Sequence, residues 1–169
     1  MAKAAESIID ASIFYYPNYV SIPYPNGDVD PKTGVCTDVI IRSYRKLEID
    51  LQKRVHEDMK LAWSAYPKNW GLKGPDSNID HRRVPNLITF FKRHGQTLNI
   101  GVKGEVYKPG DIVVWDLGGG ILHIGLVSNQ KVNATTRNLI VHNIGGGQVA
   151  EDVLFEWKII GHFSYLPIN

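Results

Sequence analysis

Apolar residues recur at helical spacing through the first hundred positions and alternate with polar ones afterwards. Behind Gly34, the residues Val35, Val39, Ile40, Tyr44 and Leu47 fall on one side of a helix that opens at Cys36. A second helix starts from Asp50, a good N-cap, carries Leu51, Val55, Met59, Ala62 and Trp63 inward, and stops near Tyr66-Pro67. A third has Leu87, Ile88, Phe90 and Phe91 on its apolar side. It ends at Arg93-His94-Gly95, cations before a glycine, as helix ends prefer. A short helix over Ala2 to Ser12 precedes them, with Ala5, Ile8 and Ile9 on one side. It is followed by an aromatic loop from Phe14 to Tyr19 and a Pro-Asn-Gly-Asp turn ending at Asp28. From Thr97 the pattern is that of strands. Ile112 to Trp115 follows the turn Tyr107 to Asp111; Gly118 to Gly120 connects it to Ile121–Ser128; Leu139 to Ile144 ends at Gly145 to Gly147. Trp157–Ile160 and His162–Leu166 close the chain. Helices first and an antiparallel sheet after predict an α+β fold. No repeat or linker divides the chain, so one domain is expected over residues 1–169.

Composition narrows the function classes. With 43% hydrophobic and 21% charged residues, the 169-residue chain has the make-up of an ordinary globular protein with a real core. A net charge of +2 without a Lys/Arg run argues against nucleic acid as partner. No apolar run reaches the roughly 18 residues of a membrane span. The one cysteine excludes an internal disulfide and a multi-cysteine zinc site. Met1 to Ala11 carries Lys3, Glu6 and Asp10 and does not read as a secretory signal. The expected location is therefore the cytoplasm, or the cell envelope if a leader has been removed.

Cys36 is the first candidate for chemistry. In the first turn of a helix its thiolate would be favoured by unpaired backbone N–H groups and by the helix dipole, so a lowered pKa is expected. The competing reading is a small apolar filler, since free cysteines are often buried. On the strand from Ile121, alternation places His123, Gly125 and Val127 on one face. On the next, Ile140, His142 and Ile144 share a face and Asn143 points the other way. Each histidine alone reads as a hydrogen-bonded core residue. If the cysteine helix packs on the histidine face, Cys36, His123 and His142 form a line in which His123 takes the thiol proton and His142 orients it. Asn143 is the rival for the orienting role. A zinc site built from the same three side chains is a further option, but it lacks a spacing motif. His56 and His162 read as surface or packing residues, and His94 as a helix-end cation.

Gly34-Val-Cys36-Thr-Asp38 opening a helix, then Pro109-Gly-Asp111-Ile-Val-Val-Trp115, His123-Ile-Gly125-Leu-Val127 and Val141-His142 resembles the NlpC-type cell-wall peptidases, rearranged relatives of the papain-like thiol hydrolases. The segments Tyr24 to Asp28, Asp80 to Leu87 and His142 to Gly145 resemble a bacterial branch of uncharacterised function related to them. The cysteine signature departs from the usual Asp-Cys-Ser-Gly. The resemblance implies a small antiparallel sheet packed against the cysteine helix, with a helical insertion. It implies Cys36, His123 and His142 as the catalytic set. Tyr24 and the Cys36 backbone N–H would be the oxyanion donors. Asp38, Arg82, Arg83 and Asn143 join Tyr24 as oxyanion or substrate-facing residues. An arginine fork suits the carboxylates of a wall peptide, but it would equally tie the helical insertion to the sheet, and Asp80 reads as structural. The implied function is a cysteine hydrolase cleaving an amide bond in peptidoglycan or another peptide substrate, as a monomer without metal or cofactor. An acyltransferase or thioesterase on the same scaffold, or a wall-binding module without turnover, are the alternatives.

Overall fold

The computed structural model describes residues 1–167; residues 168 and 169, the end of the expected domain, lie outside it. Its helices are α1 (Ala2–Glu6), α2 (Cys36–Arg45), α3 (Leu51–Leu61) and α4 (Val84–His94). Its strands are β1 (Phe14–Tyr15), β2 (Thr33–Gly34), β3 (Gln96–Thr97), β4 (Ile112–Asp116), β5 (Leu122–Lys131), β6 (Asn138–His142), β7 (Val149–Glu151) and β8 (Lys158–Ser164). One sheet is antiparallel throughout, in the order β3-β8-β4-β5-β6-β7. β1 and β2 form a separate parallel pair. The fold is α+β.

Each helix follows from its sequence. In α2, Val39, Ile40 and Tyr44 face the sheet and are fully buried. The N-cap Val35 offers no side-chain acceptor, and Asp38 compensates by taking the Val35 N–H at 2.7 Å. In α3 the Asp50 side chain accepts the Lys53 N–H at 3.0 Å. In α4 Pro85 occupies the first turn and Lys92, Arg93 and His94 the last.

The sheet separates two apolar clusters. Ile112, Val114, Ile124, Leu126, Val141 and Phe163 face the three long helices. Val113, Trp115, Val127 and Ile140 face away from them and are covered by Tyr107 and Leu154. Because both faces are covered, β4 is buried from Ile112 to Trp115 rather than alternating. In the Pro109-Gly-Asp111 turn, Asp111 Oδ2 accepts the Lys108 N–H and contacts His162 Nε2, both at 2.8 Å. His162 is a buried packing residue, its Nδ1 2.8 Å from the Asn99 carbonyl oxygen.

Several elements differ from expectation. The first helix stops at Glu6 rather than Ser12, because the Asp10 side chain accepts the Ser12 N–H and the Asp10 backbone pairs with Gln148. The aromatic loop contains β1, and β7 is an added strand. α3 ends at Leu61, and Trp63–Ala65 forms a separate 3-10 turn. The last two expected strands are one, β8, with a register shift opposite Val114 and Trp115. Among the described residues, no helix is long and apolar enough to cross a membrane.

Candidate functional site

Cys36 is the first residue of α2 and is only 6% exposed. The helix packs on the face of Ile124, Leu126 and Val141. His123, between the rings of Trp115 and Trp157, belongs to the opposite face. The expected packing of the cysteine helix on the histidine face is therefore reversed. The larger apolar set lies on the even-numbered positions of β5, and α2 covers that set. Cys36 reaches the sheet where its strands part. The paired ladder between β5 and β6 ends at Leu126 and Val141, and Ile124, just beyond it, packs in the same cluster as Cys36. The thiol thus lies near the residue that follows His123. Among the described residues, no hydrogen bond joins Cys36 to His123.

The expected lowering of the Cys36 pKa is also reversed. Burial pushes the thiol up to about 12, outweighing the N–H groups of Ile124, Thr37 and Cys36 that favour the anion. The helix dipole is the weaker effect here because the sulfur has lost its water. Burial, with His142 in second place, drives His123 down to about 3. Thiol and imidazole are both neutral at rest.

His123 and His142 are brought together. His123 Nε2 lies 2.9 Å from His142 Nδ1. His142 Nε2 in turn lies 2.9 Å from Glu151 Oε2. His123 Nδ1 makes no hydrogen bond among the described residues. Burial lowers the His142 pKa, and the Glu151 hydrogen bond offsets only part of this. Asn143 takes the other direction: its Nδ2 donates to the Gly34 carbonyl at 3.4 Å and its Oδ1 accepts the Gly145 N–H, tying β6 to the entry of the cysteine helix.

The remaining candidates separate from the thiol or are consumed by one another. Tyr24 is exposed and packs against His56 of α3, with ring centroids 5.0 Å apart. Its expected oxyanion role has no geometric basis. Tyr15 is the tyrosine beside the site: burial raises its pKa, and charge on Cys36 or Asp38 would raise it further. Tyr15 pairs with Gly34 in the β1–β2 ladder. A two-residue strand carries too little alternation to be seen beforehand. Arg82 and Asp38 form a buried fork, Nε–Oδ1 and Nη2–Oδ2 both 2.9 Å, so Arg82 is not free for a substrate carboxylate and Asp38 is not free to accept from a substrate. Arg83 stacks on Trp70 at 4.1 Å and reaches Asp80 at 3.4 Å, which commits it to the helical insertion. No three His, Cys, Asp or Glu side chains converge as a metal-binding group among the described residues.

Fold and site define the class: an α+β protein with one buried cysteine at a helix start and a histidine–histidine–glutamate chain behind it. The chain belongs to the family described as a domain of unknown function, DUF1287, whose model matches residues 2–165. It is similar to the uncharacterized protein YijF of Escherichia coli (strain K12), 50% identical over 165 residues that cover 98% of this chain and 80% of that protein. No solved structure matches the chain.

Proposed function

We propose that this protein is a cysteine hydrolase that cleaves an amide bond in a bacterial cell-wall peptide, on a papain-like scaffold of the NlpC type, in the cell envelope. The observation that carries the reading is the 2.9 Å contact between His123 and His142, on the sheet against which the Cys36 helix packs. The order of motifs along the chain supports the same assignment. Cys36 attacks the carbonyl carbon while its proton passes to His123 Nδ1, and the carbonyl oxygen becomes an oxyanion. The Cys36 N–H, at a helix start where it has no internal partner, is one donor to that oxygen in this reading, and Tyr15, whose hydroxyl senses charge on Cys36, is the candidate for the other. The intermediate collapses to a thioester, and the departing amine takes the proton from His123. Water, deprotonated by His123, then releases the acid and restores the thiol. The cycle uses no cofactor. Because the resting thiol is buried and neutral, it must become accessible to substrate before the transfer begins.

The test is incubation with purified peptidoglycan and mass analysis of the soluble fragments. The native chain should release peptides, and Cys36→Ala and His123→Ala should release none. His142→Ala should be slow but measurable, and Asn143→Ala close to native. A Cys36→Ala protein that still releases fragments, or a native protein that releases none, removes the proposal. One observation favours a second reading: the thiol is buried and protonated, as in a module that binds the wall without turnover. Co-sedimentation with peptidoglycan without any released fragment would select it.

A further inference from the structure

The row of ring nitrogens behind His123 ends on a carboxylate that the reaction scheme leaves unused. Glu151 belongs to β7, which Gly145 and Gly147 turn back along β6 with positive φ. Opposite Ile140 in that ladder, it reaches His142 along the sheet while its side chain stays half exposed, so its charge remains hydrated. An ionised carboxylate has lone pairs and no hydrogen, so the hydrogen of the 2.9 Å outer contact belongs to His142 Nε2. Burial holds both imidazoles neutral, with one ring hydrogen each. His142 Nδ1 is then a bare acceptor, and the hydrogen of the inner contact belongs to His123 Nε2. The same count leaves the lone pair of His123 on Nδ1, the nitrogen with no partner among the described residues.

We propose that Glu151 is a positioning residue that fixes the tautomers of His142 and His123 in series and so keeps His123 Nδ1 as a proton acceptor. The proposal rests on the reading of His123 as the base for Cys36. Without Glu151 the reversed row becomes available: His142 Nδ1–H donates to His123 Nε2, and His123 carries its hydrogen on Nδ1. An Nδ1–H cannot take a proton from a thiol. Two matched contacts of 2.9 Å, rather than one, make the selection directional.

The test reads the rings directly. In the full chain labelled with nitrogen-15 at neutral pH, long-range proton–nitrogen correlations show which ring nitrogen is protonated. The native protein should show Nε2–H at both His123 and His142. Glu151→Ala should lose the single form and gain Nδ1–H at His123. Glu151→Gln, whose amide oxygen still accepts, should keep Nε2–H. Peptide release should fall about 10–100-fold in Glu151→Ala, by analogy with the loss when outer partners of metal-bound histidines are removed, and recover in part in Glu151→Gln. Nδ1–H at His142 in the native protein overturns the proposal, and so does an unchanged ring pattern in a folded Glu151→Ala. The native spectrum decides the matter even if the alanine variant does not fold. It also needs no substrate. The expected pattern without peptide release overturns the hydrolase reading and leaves the tautomer role of Glu151 standing.

Discussion

A Cβ added at Gly125 would lie 2.7 Å from Cγ2 of Ile140, 3.1 Å from the Val141 carbonyl oxygen and 3.2 Å from Cβ of His142. The bare backbone at this point of β5 is what lets His142 lean across to His123. Gly125→Ala should cost about 1–3 kcal/mol in urea unfolding, as overpacking does, and lengthen the His123–His142 contact. A change within about 0.5 kcal/mol would show that the strands separate easily there. The Cys36 thiol gives a second prediction at this scale. Its pKa is raised on folding, so the stability that burial provides is present below the ordinary thiol value of ~8.5 and is lost as pH rises through that value, toward the folded value of about 12. Iodoacetamide should react slowly at neutral pH, with a rate still climbing well above pH ~8.5. A plateau at or below that value would mean the thiol is uncovered. Strand alternation separated His142 from Asn143, because the side-chain period of two is rigid, and the family resemblance pointed to the same residue. Glu151 and Tyr15 were not legible, since strands of three and two residues leave no pattern to count.

At the level of elements, the apolar side that each of α2, α3 and α4 buries was readable from helical spacing, and the sheet face they cover was not. Both faces of β5 carry apolar residues, so periodicity marks burial without naming the neighbour. The Arg82–Asp38 fork was equally ambiguous, because a paired buried arginine and a substrate-binding one look alike in a sequence. It joins the 3-10 turn Asp80–Arg82 to the first turn of α2, and Thr37 Oγ1 adds a bond to the Arg82 carbonyl at 3.0 Å. Only 3% and 2% of the two side chains meet solvent, so removing one strands the other charge. Arg82→Ala should therefore destabilise by about 3–5 kcal/mol. Arg82→Lys should recover little, because an ammonium cannot make both contacts. A loss below about 1 kcal/mol, typical of exposed pairs, would contradict the buried geometry.

Across the whole molecule, the order of helices then sheet was plain, and the way the N-terminal third is held was not. Arg42 is one anchor of that attachment. Its Nε meets Asp28 at 3.1 Å, Nη1 donates to Gln148 at 2.9 Å, and Nη2 donates to the Thr33 carbonyl at 2.8 Å. Gln148 continues the network to the Ile8 carbonyl at 2.6 Å. One guanidinium thus joins α2, the loop before β2, the exit of α1 and the entry to β7. Arg42→Met keeps the buried stem and removes the donors. It should leave the sheet folded but raise the rate of chymotrypsin cleavage in the segment with exposed Phe14, Tyr16 and Tyr19. Cleavage rates equal to native would place the attachment elsewhere, in the β1–β2 pairing.

The closed setting of Cys36 also decides how the protein meets oxidants. Peroxide attacks thiolates, and the step to sulfenic acid follows thiolate character and exposure. A sulfur that is covered and protonated at rest has neither, and with one cysteine in the chain an internal disulfide cannot capture it. If a substrate reaches this sulfur as proposed, whatever uncovers it also uncovers it for peroxide. On the proposed hydrolase reading, oxidative damage would fall on molecules opened for substrate, and closed ones would keep their thiol.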